Sequence, residues 1–94
     1  MARSEDIIIP EKVWTEITLN DVASITFQNK AASGRIHVQA TVGSVAPVGV
    51  SGATYEAGEG EYDLPLTNAF LGVTGANRVW VYAVNSAEVF VSHA

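Results

Sequence analysis

Arg78 to Ala94 reads RVWVYAVNSAEVFVSHA, and it is apolar on both sides of the chain almost to its last residue. An ordinary surface strand alternates apolar with polar residues, so a segment without that alternation is either buried on both faces or covered on one of them by something else. Its valines and aromatics mark two strands joined around Asn85 and Ser86. A loop of two residues sets Val81 against Phe90 and Ala83 against Glu88, which mixes aliphatic, aromatic and charged groups on one face. A loop of three, Asn85 to Ala87, separates them: Val79, Val81 and Ala83 join Val89 and Val91, while Trp80, Tyr82 and Val84 join Glu88, Phe90 and Ser92. Register follows face segregation, so the segment is read as a hairpin with the longer loop and with its aliphatic face in a sandwich core.

The same period-two signal recurs upstream. In VASITFQN, Ala23, Ile25 and Phe27 share a face, and in RIHVQATV the inward set is Ile36, Val38, Ala40 and Val42. Between them KAASG (30–34) reads as a hairpin loop with Gly34 at a position needing positive φ. In VWTEITL, Val13, Ile17 and Leu19 lie mostly on one side, and Asn20-Asp21 makes a turn. The Gly-rich middle gives short strands near Val45 to Val50 and Glu61 to Leu66, with an acidic turn at Glu56 to Glu61 and one helical turn over Thr67 to Gly72. The expected fold is all-β: a single-domain antiparallel β-sandwich over residues 13–94, preceded by an extended N-terminal arm over 1–12. Ile25, Phe27, Ile36, Val38, Val79, Val81, Val89 and Val91 form its core.

This arrangement leaves Trp80, Tyr82 and Phe90 together on an outer face. Either the chain covers them itself, with the arm or the 67–72 turn, or a partner does; aromatic clusters are favoured at interface centres because they bury large areas with few rotatable bonds. The arm bears on the same choice. Ile7, Ile8 and Ile9 precede Pro10, which removes a donor and favours extended chain before it, so the segment either adds to a neighbour's sheet or pairs within its own. Ile7, Ile8, Ile9, Trp14, Trp80, Tyr82 and Phe90 are the candidate interface residues.

Composition narrows the function classes. A chain of 94 residues, 48% hydrophobic and 16% charged, folds as one domain with little stability in reserve. Only 5 residues are Lys or Arg and the net charge is -5, which argues against nucleic acid and anionic membrane as partners. The three isoleucines are too short a run for a signal peptide or a membrane span, so the chain reads as soluble. There is no cysteine, hence no disulfide and no thiolate chemistry. His37 and His93 read as surface histidines without a nucleophile at triad spacing. Glu56, Glu59, Glu61 and Asp63 lack a calcium-loop pattern and read as a solvated acidic turn, and Gly58 and Gly60 among them are no phosphate loop. The expectation is therefore a non-enzyme without cofactor or metal.

ITFQNKAASGRIHVQAT, the acidic turn AGEGEYDLPL and the terminal GANRVWVYAVNSAEVFVSHA together resemble the small all-β virion proteins encoded among the head genes of tailed bacteriophages. The resemblance runs over nearly the whole chain, and its motifs are packing and turn residues. It implies a capsid decoration or cement protein that is made in the host cytoplasm and sits on the outer surface of the head. Its partners would then be the major capsid protein and further copies of itself in a homo-oligomer, decoration proteins often being trimeric. Two alternatives are a tail or head-tail connector protein, and a carbohydrate-binding module stacking sugars on Trp14, Trp80 and Tyr82.

Overall fold

The computed structural model describes residues 2–94, which are all-β apart from one helical turn. Its elements in order are β1 (Arg3–Ile9), β2 (Thr15–Glu16), β3 (Ser24–Asn29), β4 (Ile36–Thr41), β5 (Ala53–Tyr55), β6 (Gly60–Pro65), α1 (Leu66–Ala69), β7 (Arg78–Ala83) and β8 (Ala87–His93). They form two antiparallel four-stranded sheets, ordered β1-β8-β3-β6 and β2-β7-β4-β5. Only the β4–β5 connection stays within one sheet; every other connection crosses to the opposite one. Neighbours β1 with β8, β2 with β7, β3 with β6 and β4 with β5 are the pairs of one long hairpin wound round a core, which is the topology of a jelly roll.

The inward faces are those expected from the alternation. Ile25, Phe27, Ile36, Val38, Val79, Val81, Val89 and Val91 all lie in one core and none is more than 2% exposed. At about 25 cal/mol per Å² of apolar surface, this shared burial is the main term holding the sheets together. What differs is how consecutive strands are placed. β7 and β8 are not a hairpin. Val84–Ser86 carries the chain from one sheet to the other, so Val79 and Val81 meet Val89 and Val91 across the core rather than beside them. The Lys30–Arg35 link is likewise an arch between sheets, with Gly34 at φ +90. Period-two alternation states which side faces inward, and a hairpin and an arch satisfy it equally.

The N-terminal segment is a strand of the sandwich and not an arm. β1 pairs with β8 along its length, from Arg3↔His93 to Ile9↔Ala87, and Pro10, without an N–H, follows its last residue. Ile9 is fully buried and Ile7 packs against the core, while Ile8 points outward and is 67% exposed. The expected strand over Val45 to Val50 is absent; the partner of β4 is β5, further along. The helical turn begins at Leu66, which is buried, and ends before Phe70, earlier than the expected Gly72, and it has no side-chain cap. Val13 and Leu19, placed with Ile17 by alternation, are 53% and 42% exposed because β2 is only two residues long.

Three polar residues are buried among those described: Thr18, Asn29 and His93. Asn29 continues the inward face of β3 and is fully buried. Its amide donates to Tyr55 O (3.1 Å) and Gly34 O (3.3 Å), and its Oδ1 accepts from Ala31 N–H (3.0 Å), so one side chain ties β3 to the arch and to β5. His93 is buried and not a surface histidine. Its Nε2 accepts the Leu19 N–H (3.1 Å), which makes Nδ1 the protonated nitrogen donating to Ala94 O (3.0 Å). Near the same junction Arg3 Nη1 donates to Ile17 O (3.1 Å). Arg3 Nε lies 2.7 Å from Glu5 Oε2, outside hydrogen-bond geometry and so an ion pair only.

Candidate interaction surface

Ile9 and Ile7 belong to the core, and the aromatic candidates divide between two opposite faces. β8 carries Phe90 on the outer face of the first sheet, where its cross-strand neighbours are Asp6 and Gln28. Trp80 and Tyr82 lie on the outer face of the second sheet, so the single aromatic cluster expected from a hairpin does not form. On that first face Asp6 pairs with Lys30 (2.8 Å), a hydrogen bond that raises the lysine pKa. Along β1, Arg3, Glu5 and Asp6 supply the charges that discourage an open edge from pairing with another chain.

The outer face of the second sheet is the aromatic one. Trp14, just before β2, stacks at a tilt on Tyr82 with centroids 5.4 Å apart, and His37 of β4 meets the same ring edge-on at 6.0 Å. Trp80 lies two residues from Tyr82 between Glu16 and Gln39, and it is only 8% exposed although it is outside the core cluster. The β4–β5 connection, Val42–Gly52, is bound to this face, whereas the N-terminal strand belongs to the other sheet and the helical turn packs on β6. This strap is tied to residues around Trp80. Trp14 Nε1 donates to Gly49 O (2.7 Å), Gln39 Nε2 to Ser51 O (3.3 Å) and the Gly43 N–H to Asn77 Oδ1 (2.8 Å). Trp80 Nε1 donates to Thr41 Oγ1 (2.8 Å), which in turn donates to Gly43 O (2.9 Å).

The strap shields Trp80 and offers its own valines to solvent. Val42, Val45, Val48 and Val50 are 54%, 74%, 95% and 55% exposed. No charged residue occurs from Ile36 to Tyr55, so the strap hydrates this surface only through its serines and backbone. Exposed aliphatic groups concentrated in one uncharged segment are a feature of binding surfaces on soluble domains. Beyond one side of the sheet, Arg78 is clasped by Glu16 (2.9 Å) and Asp21 (2.8 Å), and these hydrogen bonds raise its pKa further. The three rings named for a sugar platform are not coplanar: Trp80 is covered, and Trp14 and Tyr82 are inclined by 50°.

The valine strap was not among the residues singled out from the sequence. Its signal was present in GSVAPVGV: valines interrupted by Gly and Pro cannot sustain a strand, so they had no sheet to bury them. The acidic turn is committed to partners within the fold. Glu56 pairs with Arg35 (3.2 Å), Glu59 accepts the Glu56 N–H (2.7 Å) and Glu61 accepts from Tyr55 Oη (3.3 Å). Burial first, and then the Glu61 charge, push the Tyr55 phenol pKa up. Comparison with protein families, with curated proteins and with solved structures finds no match to this chain.

Proposed function

We propose that this protein is a structural binding domain, a decoration or cement protein of a phage head, which docks on the capsid through the valine strap and the adjoining Trp14–Tyr82 face. The observation that carries the proposal is Val48 at 95% exposure in an uncharged strap whose other valines are more than half exposed. A domain this small gains from losing that surface to a partner, since apolar area left in water contributes nothing to its stability. The jelly-roll topology is one that viral capsid domains use, and the resemblance noted from the sequence points the same way; lectin domains share the topology, so the site and not the fold decides. Many copies on a repeating shell multiply a modest contact per copy.

The test is co-expression with the major capsid protein of the same virus, followed by electron microscopy of the shells. The expected result is ordered density on the outer surface. Val48→Asp should weaken binding by roughly thirtyfold, the effect of losing about 2 kcal/mol at an interface, without lowering the melting temperature. Bare shells at saturating protein would sink the proposal. Retention on immobilised glycans, or incorporation into tail rings, would favour the sugar-binding or connector alternatives.

A further inference from the structure

We propose that the Gly43–Ser51 strap is a lid, which opens on the folded domain to uncover Trp80 and so exchanges an aliphatic docking surface for an aromatic one. This regulation rests on the reading of the face as a docking site. The strap has the construction of a movable cover. It belongs to no strand, and its most exposed valine, Val48, has almost no packing against the domain. Gly43 and Gly49 both take positive φ, +73 and +77, with open space where a Cβ would stand, so the backbone can swing there without a side chain in the way. Beyond the strap, Gly52 is fixed: a Cβ there would meet Val38 O at 2.7 Å, so the chain re-enters the sheet at a closely packed point.

What holds the lid down is a short set of hydrogen bonds and not a core. The Trp14 indole N–H to Gly49 O, at 2.7 Å, is the shortest of these bonds and holds the far half of the strap. The relay from Trp80 Nε1 through Thr41 Oγ1 to Gly43 O joins the covered ring to the lid's first residue. With the latch released, Trp14, Trp80 and Tyr82 become one aromatic row beside His37, a surface of the kind found at interface centres. Such opening is local unfolding of a segment with few buried contacts, while both sheets remain intact.

Hydrogen exchange of the free, full-length protein tests it, with the two indole N–H signals followed by nuclear magnetic resonance. The Trp80 indole should exchange at least about a hundredfold faster than amides in the centres of β3 and β8, and its rate should hardly change in low urea, as expected for an opening that exposes little surface. Trp14→Phe keeps a ring against Tyr82 and removes only the latch donor, so it should speed Trp80 exchange about fivefold, the worth of one neutral hydrogen bond. Trp80 protection equal to that of the core amides, with the same urea dependence, overturns the lid and needs no variant to be read. The measurement uses free protein, so failure of the lid leaves the capsid result standing, and bare shells leave the exchange result standing.

Discussion

Replacing Asn29 tests the interior of the fold at the point where β3, β5 and the Lys30–Arg35 arch meet. Asn29 is fully buried and makes three side-chain hydrogen bonds, to Tyr55 O, Gly34 O and Ala31 N–H. In Asn29→Ala the exposed Gly34 carbonyl finds water, whereas Tyr55 O and Ala31 N–H sit on half-buried residues. Two poorly satisfied groups cost about 2 to 3 kcal/mol, which for a domain of this length lowers the melting temperature by roughly 10 to 20 °C. Asn29→Asp separates hydrogen bonding from packing. It keeps the acceptor for Ala31 but aims a carboxyl at two carbonyls, and burial with that arrangement raises its folded pKa above the unfolded value of about 3.9. Stability of Asn29→Asp should therefore be fullest below about pH 4 and fall as pH rises through the folded value. Urea unfolding followed by circular dichroism at pH 4 and pH 7 measures both variants. An Asn29→Ala protein within about 0.5 kcal/mol of wild type, or an Asn29→Asp protein with no pH slope, would refute the reasoning.

Three other outcomes are expected. Trp80→Ala should cost about 3 to 5 kcal/mol in urea unfolding, as Val81→Ala also should in lesser degree, because the Trp80 ring is buried in the closed domain; a stability unchanged by Trp80→Ala would mean that the ring is not packed. Gly60→Ala should disrupt the β3–β6 pairing, since a Cβ there would lie 2.1 Å from Phe27 O beside the register shift between Ile25 and Phe27, and loss of more than about 2 kcal/mol in a thermal melt checks it. The raised Tyr55 pKa favours the protonated phenol in the fold, so stability should fall as pH rises above about 10; the fall should be shallower in Tyr55→Phe, and equal slopes in the two proteins would remove Tyr55 from the cause.

The inward residues of the core strands were legible because burial imposes a period of two on any strand with a wet side, and Ile25, Phe27, Ile36 and Val38 obey it. The last segment was legible for another reason. β7 and β8 are inner strands, each with a neighbour on both sides, and they carry core valines on their inward faces. The outer face was harder to read. The Trp80 ring is joined through Thr41 to a loop roughly thirty to forty residues earlier in the chain, and no local pattern around Arg78 to Ala83 reports that contact. His93 and Asn29 were also opaque, since a polar residue on a strand is buried or exposed according to which distant backbone groups come to meet it.

By itself, then, the sequence determined the class of fold, the side of each core strand that turns inward and the want of charge across Ile36 to Tyr55. Which strand lies beside which was decided only in three dimensions. A turn of a few residues serves a hairpin or an arch, and the choice is made by the pairing of whole strands: β8 finds β1 and β3 at its sides, β7 finds β2 and β4, and their valines then close on each other from opposite sheets. The same choice set Phe90 on one face and Tyr82 on the other, and turned the three isoleucines of an expected arm into one buried, one half-buried and one exposed residue of an edge strand. Alternation is a local consequence of backbone geometry, whereas sheet partnership is a sum over contacts far apart in the chain, and only the folded molecule evaluates that sum.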